Sequence, residues 1–370
     1  MIGNNTSEKF LFVFSAVALL LAGADNGLAQ THIPPWLTAG TPTNGQIKLT
    51  LTTEPGVSKY VIQSSPGLKN WTPVVTNNDN TNTRLITLTA SATANFFRAQ
   101  RDPIPVFAYA LAARGNINML GNSIETDSWN SHDPAKSTNG LYNGYSGTNG
   151  HVASVSGFVN TGNETISGNV YLGPNATYSG SGKVVGTIYS DGNLGFPDVV
   201  LPTTDTNGNA ITWTPAPGTS SLHSFTNSGY YMVSDSGSLI VDPGIMVTLQ
   251  LTMTSFNPGS ITIKGGITNS GTIIMYQNQG SFALGGNASG GAIGSRPQNF
   301  IYYGLTNVTS VSLTGTSTFV GCIYAPEAAL NLNGGLTINF VGGGVFNTIT
   351  VISHYTVHFD ESLLTSGPTR

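Results

Sequence analysis

One short phrase recurs along this chain and sets what most of it can fold into. Ile166-Ser167-Gly168-Asn169-Val170-Tyr171 returns as Val184-Val185-Gly186-Thr187-Ile188-Tyr189, 18 residues later (186 − 168), and again as Phe319-Val320-Gly321-Cys322-Ile323-Tyr324. Looser copies stand at Ile261–Ile267 and Gly271–Tyr276, among short β-branched pieces such as Leu239-Ile240-Val241 and Val311-Ser312-Leu313. Strands of three to six residues between Gly, Asn and Ser corners are the pattern of a parallel β-solenoid, in which each coil stacks on another. Corners need residues that tolerate positive φ, and Gly does so at least cost. Of the 46 glycines, 39 lie from residue 115 onward and none between 68 and 114. In straight strands each would cost roughly 0.5–1 kcal/mol relative to Ala. A spacing of 18 allows one coil of three short strands, although the repeat is too irregular for that ruler to fit the whole domain. The competing architecture is a pair of β-sandwich or jelly-roll domains.

The glycine-free stretch marks a second unit. Residues 36–101 read as a small β-sandwich: Ile47–Thr52 alternates apolar and polar, and Tyr60–Gln63, Val74-Val75 and Leu85–Leu88 follow, separated by turn sequences. Trp71 and Phe96 are its core candidates, and Arg98 is read as solvated or paired. Residues 102–105 form a proline-stiffened linker, 106–364 the solenoid and 365–370 a tail. The region 196–235 departs most from the repeat and is expected to hold an insertion.

Residues 1–29 read as a secretory signal peptide. Leu11–Ala22 is an apolar run of 12 residues, shorter than the roughly 20 that cross a bilayer, and Ala22-Gly23-Ala24 and Gly27-Leu28-Ala29 supply small-residue cleavage sites. No later run is long enough to span, so the mature chain is expected to be secreted or on the cell surface, with no membrane span. Charged residues make up 8% of the chain and the formal net charge is −4. No basic block exists to neutralise phosphates, which argues against a nucleic-acid partner. Cys322 is the sole cysteine, so no disulfide framework is expected. Its alignment with Asn169 and Thr187 points to an outward or corner position.

Two polar clusters carry the candidate sites. In Asp127–Asp133, exposed aromatics beside Asp and Asn suit sugar binding by ring stacking and hydrogen bonding. The expected glycan contacts are Asp127, Trp129, Asn130, Tyr142 and Tyr145, and the structural reading of the same residues is a loop or cap. In the closing segment His354, His358 and Asp360 share a strand face. Residues i and i+4 on a strand lie about 13 Å apart at roughly 3.3 Å per residue, too far for one metal ion, so no metal site is expected. His358, Asp360 and Glu361 are read as a polar cap shielding the edge of a terminal strand. Ser179–Val184 lacks the residues of a phosphate loop, no G-x-S-x-G elbow occurs, and no paired carboxylates at hydrolase spacing are visible. No catalytic residue and no cofactor is expected.

Two resemblances add to this reading. The run Tyr60–Trp71, with Ser64-Ser65-x-x-Leu68-x-x-Trp71 and the ending Phe96-Phe97-Arg98-Ala99, resembles a small fibronectin-like module of exported Verrucomicrobia and Planctomycete proteins. The opening Phe107–Ile117 with Asp127–Ser131, the run Phe319–Gly335 and the ending Val357-His358-Phe359-Asp360-Glu361-Ser362-Leu363 resemble an exported bacterial surface domain associated with pilus assembly. Phe359 stands where that domain usually has Tyr. The resemblance implies a right-handed β-helix akin to bactofilin-type solenoids and no enzymatic activity. The function expected is a non-catalytic structural or adhesive surface protein. The alternative is a β-helix that binds or degrades an extracellular polysaccharide, and the twelve acids against five bases after residue 114 favour a neutral one. Other surface proteins are the remaining class of partner.

Overall fold

The computed structural model describes residues 36–39, 46–52, 59–65, 72–77, 83–89 and 96–101, and then 105–369 apart from 191–193, 286–289, 315–317 and 335–337. Residues 1–29, expected to be a signal peptide, and Trp71 lie outside the described residues, as do the side chains of Phe96 and Arg98. The chain is nearly all β, with 56% strand and 2% helix, and its two compact units part between Ile104 and Pro105.

The smaller unit has two antiparallel sheets. One joins Trp36–Ala39, Gln46–Thr52 and Thr83–Thr89; the other joins Thr72–Asn77, Tyr60–Ser65 and Phe96–Arg101. Period-2 alternation places Ile47, Leu49 and Leu51 on one face of the first sheet, and they meet Tyr60, Ile62 and Phe97 of the second in a shared core.

The larger unit is a parallel β-solenoid, but its coils do not stack in chain order. The first coil (Leu111–Ala113, Ile117–Met119, Glu125–Trp129) is followed by coils at 152–166 and 170–184 and a last strand, Ile188–Tyr189. Each pairs in parallel with the one before. Here the 18-residue spacing is real, since Val152, Val170 and Ile188 are successive ladder partners. A second stack runs from Thr214–Pro215 to the last coil, built from the end of Ile338–Val351 and from Tyr355–Asp360. Its coils are longer: Ile301, Cys322 and Gly343 are partners at intervals of 21, and Val247, Ile273 and Phe300 at 26 and 27. One ruler therefore fails because corner loops grow, not because the fold changes.

The two stacks join in the middle of the rod. The last coil lies on the open edge of the first: Gly344–Phe346 pairs with Leu111–Ala113, Ile349–Val351 with Ile117–Met119, and Thr356–Asp360 with Glu125–Trp129. One face consequently carries an unbroken ladder of eleven rungs: Pro215, Met232, Gln250, Tyr276, Tyr303, Tyr324, Val345, Ala112, Ala153, Tyr171 and Tyr189. The ends of the unit meet as well, with Pro105 bridged to Thr369 and the Val106 amide donating to the Pro368 carbonyl at 2.9 Å.

This order requires the chain to return from one end of the rod to the other between Tyr189 and Thr214, and residues 194–213 are the described part of that return. Ten steps of about 4.8 Å come to roughly 48 Å, and 24 extended residues reach about 80 Å. The expected insertion at 196–235 thus splits into this return segment and the opening of the second stack. The segment crosses the ladder face at the junction, where Phe196 packs against Tyr109 and the Pro197 carbonyl accepts from the Tyr324 hydroxyl at 2.9 Å. Ala112 and Ala153 are the small rungs at that crossing.

Two expectations are corrected. Strand Tyr355–Asp360 is not a terminal edge: Ile338–Val341 pairs on one side of it and Glu125–Trp129 on the other, so His358, Asp360 and Glu361 stand inside the stack. Cys322 keeps the register shared with Asn169 and Thr187, but it is fully buried, and burial pushes its thiol well above the ordinary range.

Candidate functional site

The junction gathers both polar clusters that stand out in the sequence. Parallel pairing sets His358 beside Asp127 and Asp360 beside Trp129. His358 Nδ1 lies 2.6 Å from Asp127 Oδ1, and His358 Nε2 lies 3.2 Å from Asn339 Oδ1. The imidazole stacks on Tyr142, with ring centroids 3.9 Å apart, and Tyr142 meets the edge of Trp129 at 5.7 Å. Tyr142 belongs to the loop that follows the first coil, so this loop folds over the strand pair and removes it from water. Burial, with Asp127 and Glu125 nearby, raises the Tyr142 hydroxyl well above its usual range.

The loop is tied down by the other two acids. Asp360 Oδ1 accepts from the Ser131 and Ser362 amides, each at 3.0 Å. Glu361 Oε1 accepts from Ser128 Oγ and Asn149 Nδ2 and its Oε2 from Lys136 Nζ, all at 2.8 Å. Burial works to raise the Glu361 carboxyl, but these donors together outweigh it and hold it below the usual range. The same hydrogen bond raises Lys136. A second tie lies on the ladder face. Arg114 donates to the Phe196 carbonyl and to the Asp198 and Glu327 carboxylates, so one guanidinium joins the first coil, the return segment and the second stack.

The expected glycan contacts are divided by this arrangement. Trp129 and Asp127 are 1% and 2% exposed and present no face to a sugar, which corrects the surface role expected of them. The cause is the loop, whose own Tyr142 covers them. Asn130 and Tyr142 are half-buried, and Tyr145 is exposed, its ring beside Lys136 Nζ. Sequence reasoning missed Arg114, Lys136, Asn149 and Asn339, whose partners lie up to 225 residues away. No spacing within the chain signals such pairs. Among the described residues, no three His, Cys, Asp or Glu side chains stand close enough together to hold a metal ion, and no helix is long and apolar enough to cross a membrane.

Fold and site together define a parallel β-solenoid of two stacks, closed by a buried polar junction in mid-rod. Residues 218–366, nearly all of the second stack, match the family model of a domain of unknown function, DUF7305. No curated protein and no solved structure matches the chain.

Proposed function

We propose that this is an exported, non-catalytic surface or matrix protein whose solenoid serves as a stiff structural or adhesive rod. We place it with the bactofilin-like, pilus-assembly-associated solenoids that its sequence resembles. The observation that carries this reading is where the acids are used. Asp127, Asp360 and Glu361 are acids of the junction between first and last coils, and Asp127 Oδ1, Asp360 Oδ1 and both Glu361 carboxylate oxygens bind groups of the chain itself there. An acid committed to a backbone amide or a lysine is not poised to protonate a leaving group. The low charge fits the same role, since Ser, Thr, Asn and Gly cover most of a rod that exposes strands and corners.

The test is to incubate the purified mature chain with a polysaccharide panel and a glycan array. The expected outcome is no product release, with adhesion of intact cells falling when the gene is deleted. Product release would overturn the reading in favour of a polysaccharide-degrading enzyme. Binding to a neutral glycan that is lost in Tyr145→Ala would replace it with a polysaccharide-binding module. N-terminal sequencing of material recovered outside the cell should begin after Ala24 or Ala29.

A further inference from the structure

We infer that the edge of the last coil, covered here by the chain's own first coil, is also a docking surface for the first coil of a second copy of this chain. Copies would then exchange residues 106–190 in addition to closing on themselves. The inference stands on topology alone and is independent of the role assigned to the rod.

Every contact that closes the rod joins residues far apart in the chain. The register Gly344–Phe346 on Leu111–Ala113 and Thr356–Asp360 on Glu125–Trp129, with the His358–Asp127 pair 231 residues apart in sequence, requires the two stacks only to be present together. The covalent link between them is the return segment. Its first part is clasped at the junction by Arg114, but Arg114 and the segment's Phe196 and Asp198 lie on the side of the donated stack, while Glu327 and Tyr324 lie on that of the acceptor. Exchange keeps that clasp intact. Further on, residues 203, 204 and 206–210 are exposed, and the segment turns on itself at Asp205, whose carboxylate accepts from the Asn207 and Asn209 amides. With Pro197 held at Tyr324, residues 199–213 reach about 50 Å for the five steps, about 24 Å, from Tyr324 to Pro215, which leaves roughly 25 Å of slack, enough to enter a neighbouring rod. Closed and exchanged forms therefore share the whole junction and differ in the path of residues 199–213, the condition under which swapping costs little. The partner is a second copy because the acceptor edge is complementary to this particular coil: it needs Asp127 opposite His358, and Ser128, Lys136 and Asn149 around Glu361.

The test uses two full-length mature chains carrying different affinity tags, denatured and refolded together over a hundredfold range of concentration. The expected result is dimers bearing both tags, their share rising with refolding concentration. Mixing copies that are already folded should give none, because exchange requires the junction to open. Singly tagged monomers at every concentration would overturn the inference. So would mixed dimers from folded copies, which would show surface association instead.

Discussion

Truncating Asp127 measures what the junction is worth. Asp127 and His358 are 2% and 3% exposed, and their facing atoms are 2.6 Å apart. Tyr142 lies flat against the imidazole at 3.9 Å, so in Asp127→Ala no solvent-exposed route offers Nδ1 a replacement partner. Leaving a buried polar group unpaired costs about 1–3 kcal/mol, and a ring nitrogen held 2.6 Å from a buried carboxylate belongs at the upper end, about 3 kcal/mol. A unit the size of the solenoid loses about 2 °C of Tm per kcal/mol, so thermal unfolding should shift down by about 6 °C. Lys264→Met is the control: Lys264 Nζ and Asp242 Oδ1 are 3.0 Å apart, but the two side chains are 49% and 32% exposed, and such pairs contribute about 1 kcal/mol or less. His358→Ala and the double variant complete a cycle, and direct contact predicts a coupling of at least about 1 kcal/mol. A shift for Asp127→Ala no larger than the control, or additive single effects, would refute the reasoning. The outcome also bears on the coil order, since a solenoid stacked in chain order holds these residues many coils apart.

Arg114→Ala should release the return segment from the junction, and the check is faster proteolytic cleavage within residues 194–213 at unchanged circular dichroism. Gly280→Ala should cost at least about 2 kcal/mol in denaturant unfolding: its φ is +83° and a Cβ would run into the Thr254 carbonyl, adding a clash to the roughly 1–2 kcal/mol of left-handed backbone. His151 predicts acid sensitivity. Burial lowers it from 6.5 to about 4, and its Nδ1 accepts from the Asn169 amide at 2.9 Å, which needs the neutral ring. The unfolded chain therefore takes up the proton first, stability is complete above about pH 6.5 and falls toward pH 4, and His151→Gln should flatten that part of a Tm-versus-pH curve.

What the sequence reveals is whatever is local. The phrase around Gly168, Gly186 and Gly321 marks one ladder position, and the structure puts Val170, Ile188 and Ile323 on that single line of partners. Strand type follows from alternation, as at Ile47, Leu49 and Leu51. Coil order is different, because a parallel coil edge accepts any coil of matching twist and its repeats look alike wherever they stand. Nothing in Leu111-Ala112-Ala113 says whether its lower neighbour precedes it or follows it by more than 200 residues. The cap expected of His358, Asp360 and Glu361 failed for this reason: the residues were rightly singled out, and their strand is an edge only if the chain stacks in order. Trp129 failed in the same way, since the residue that covers it, Tyr142, sits in a loop whose path sequence alone does not give.

The scarcity of charge and its placement have one cause. Along a continuous run of coils the backbone ladder satisfies its own donors and acceptors, and side-chain ions add little but desolvation cost. Where the chain is interrupted, nothing covalent fixes the register between neighbouring coils, and a one-residue slip would turn inward-facing side chains outward. Directional polar pairs penalise such a slip, because displacement strands a buried polar group. Most of the solenoid's ion pairs among the described residues follow that rule. His358–Asp127 and Lys136–Glu361 lie at the junction, and Arg114 binds Asp198 and Glu327 where the return segment crosses it. His223–Asp235, 12 residues apart on successive coils at the open end of the second stack, is an exception. Lys264–Asp242, within a continuous run, is the most exposed of them. Register, more than stability, is then what these few charges secure, and a chain with 30 charged residues places several where a coil could otherwise pair wrongly.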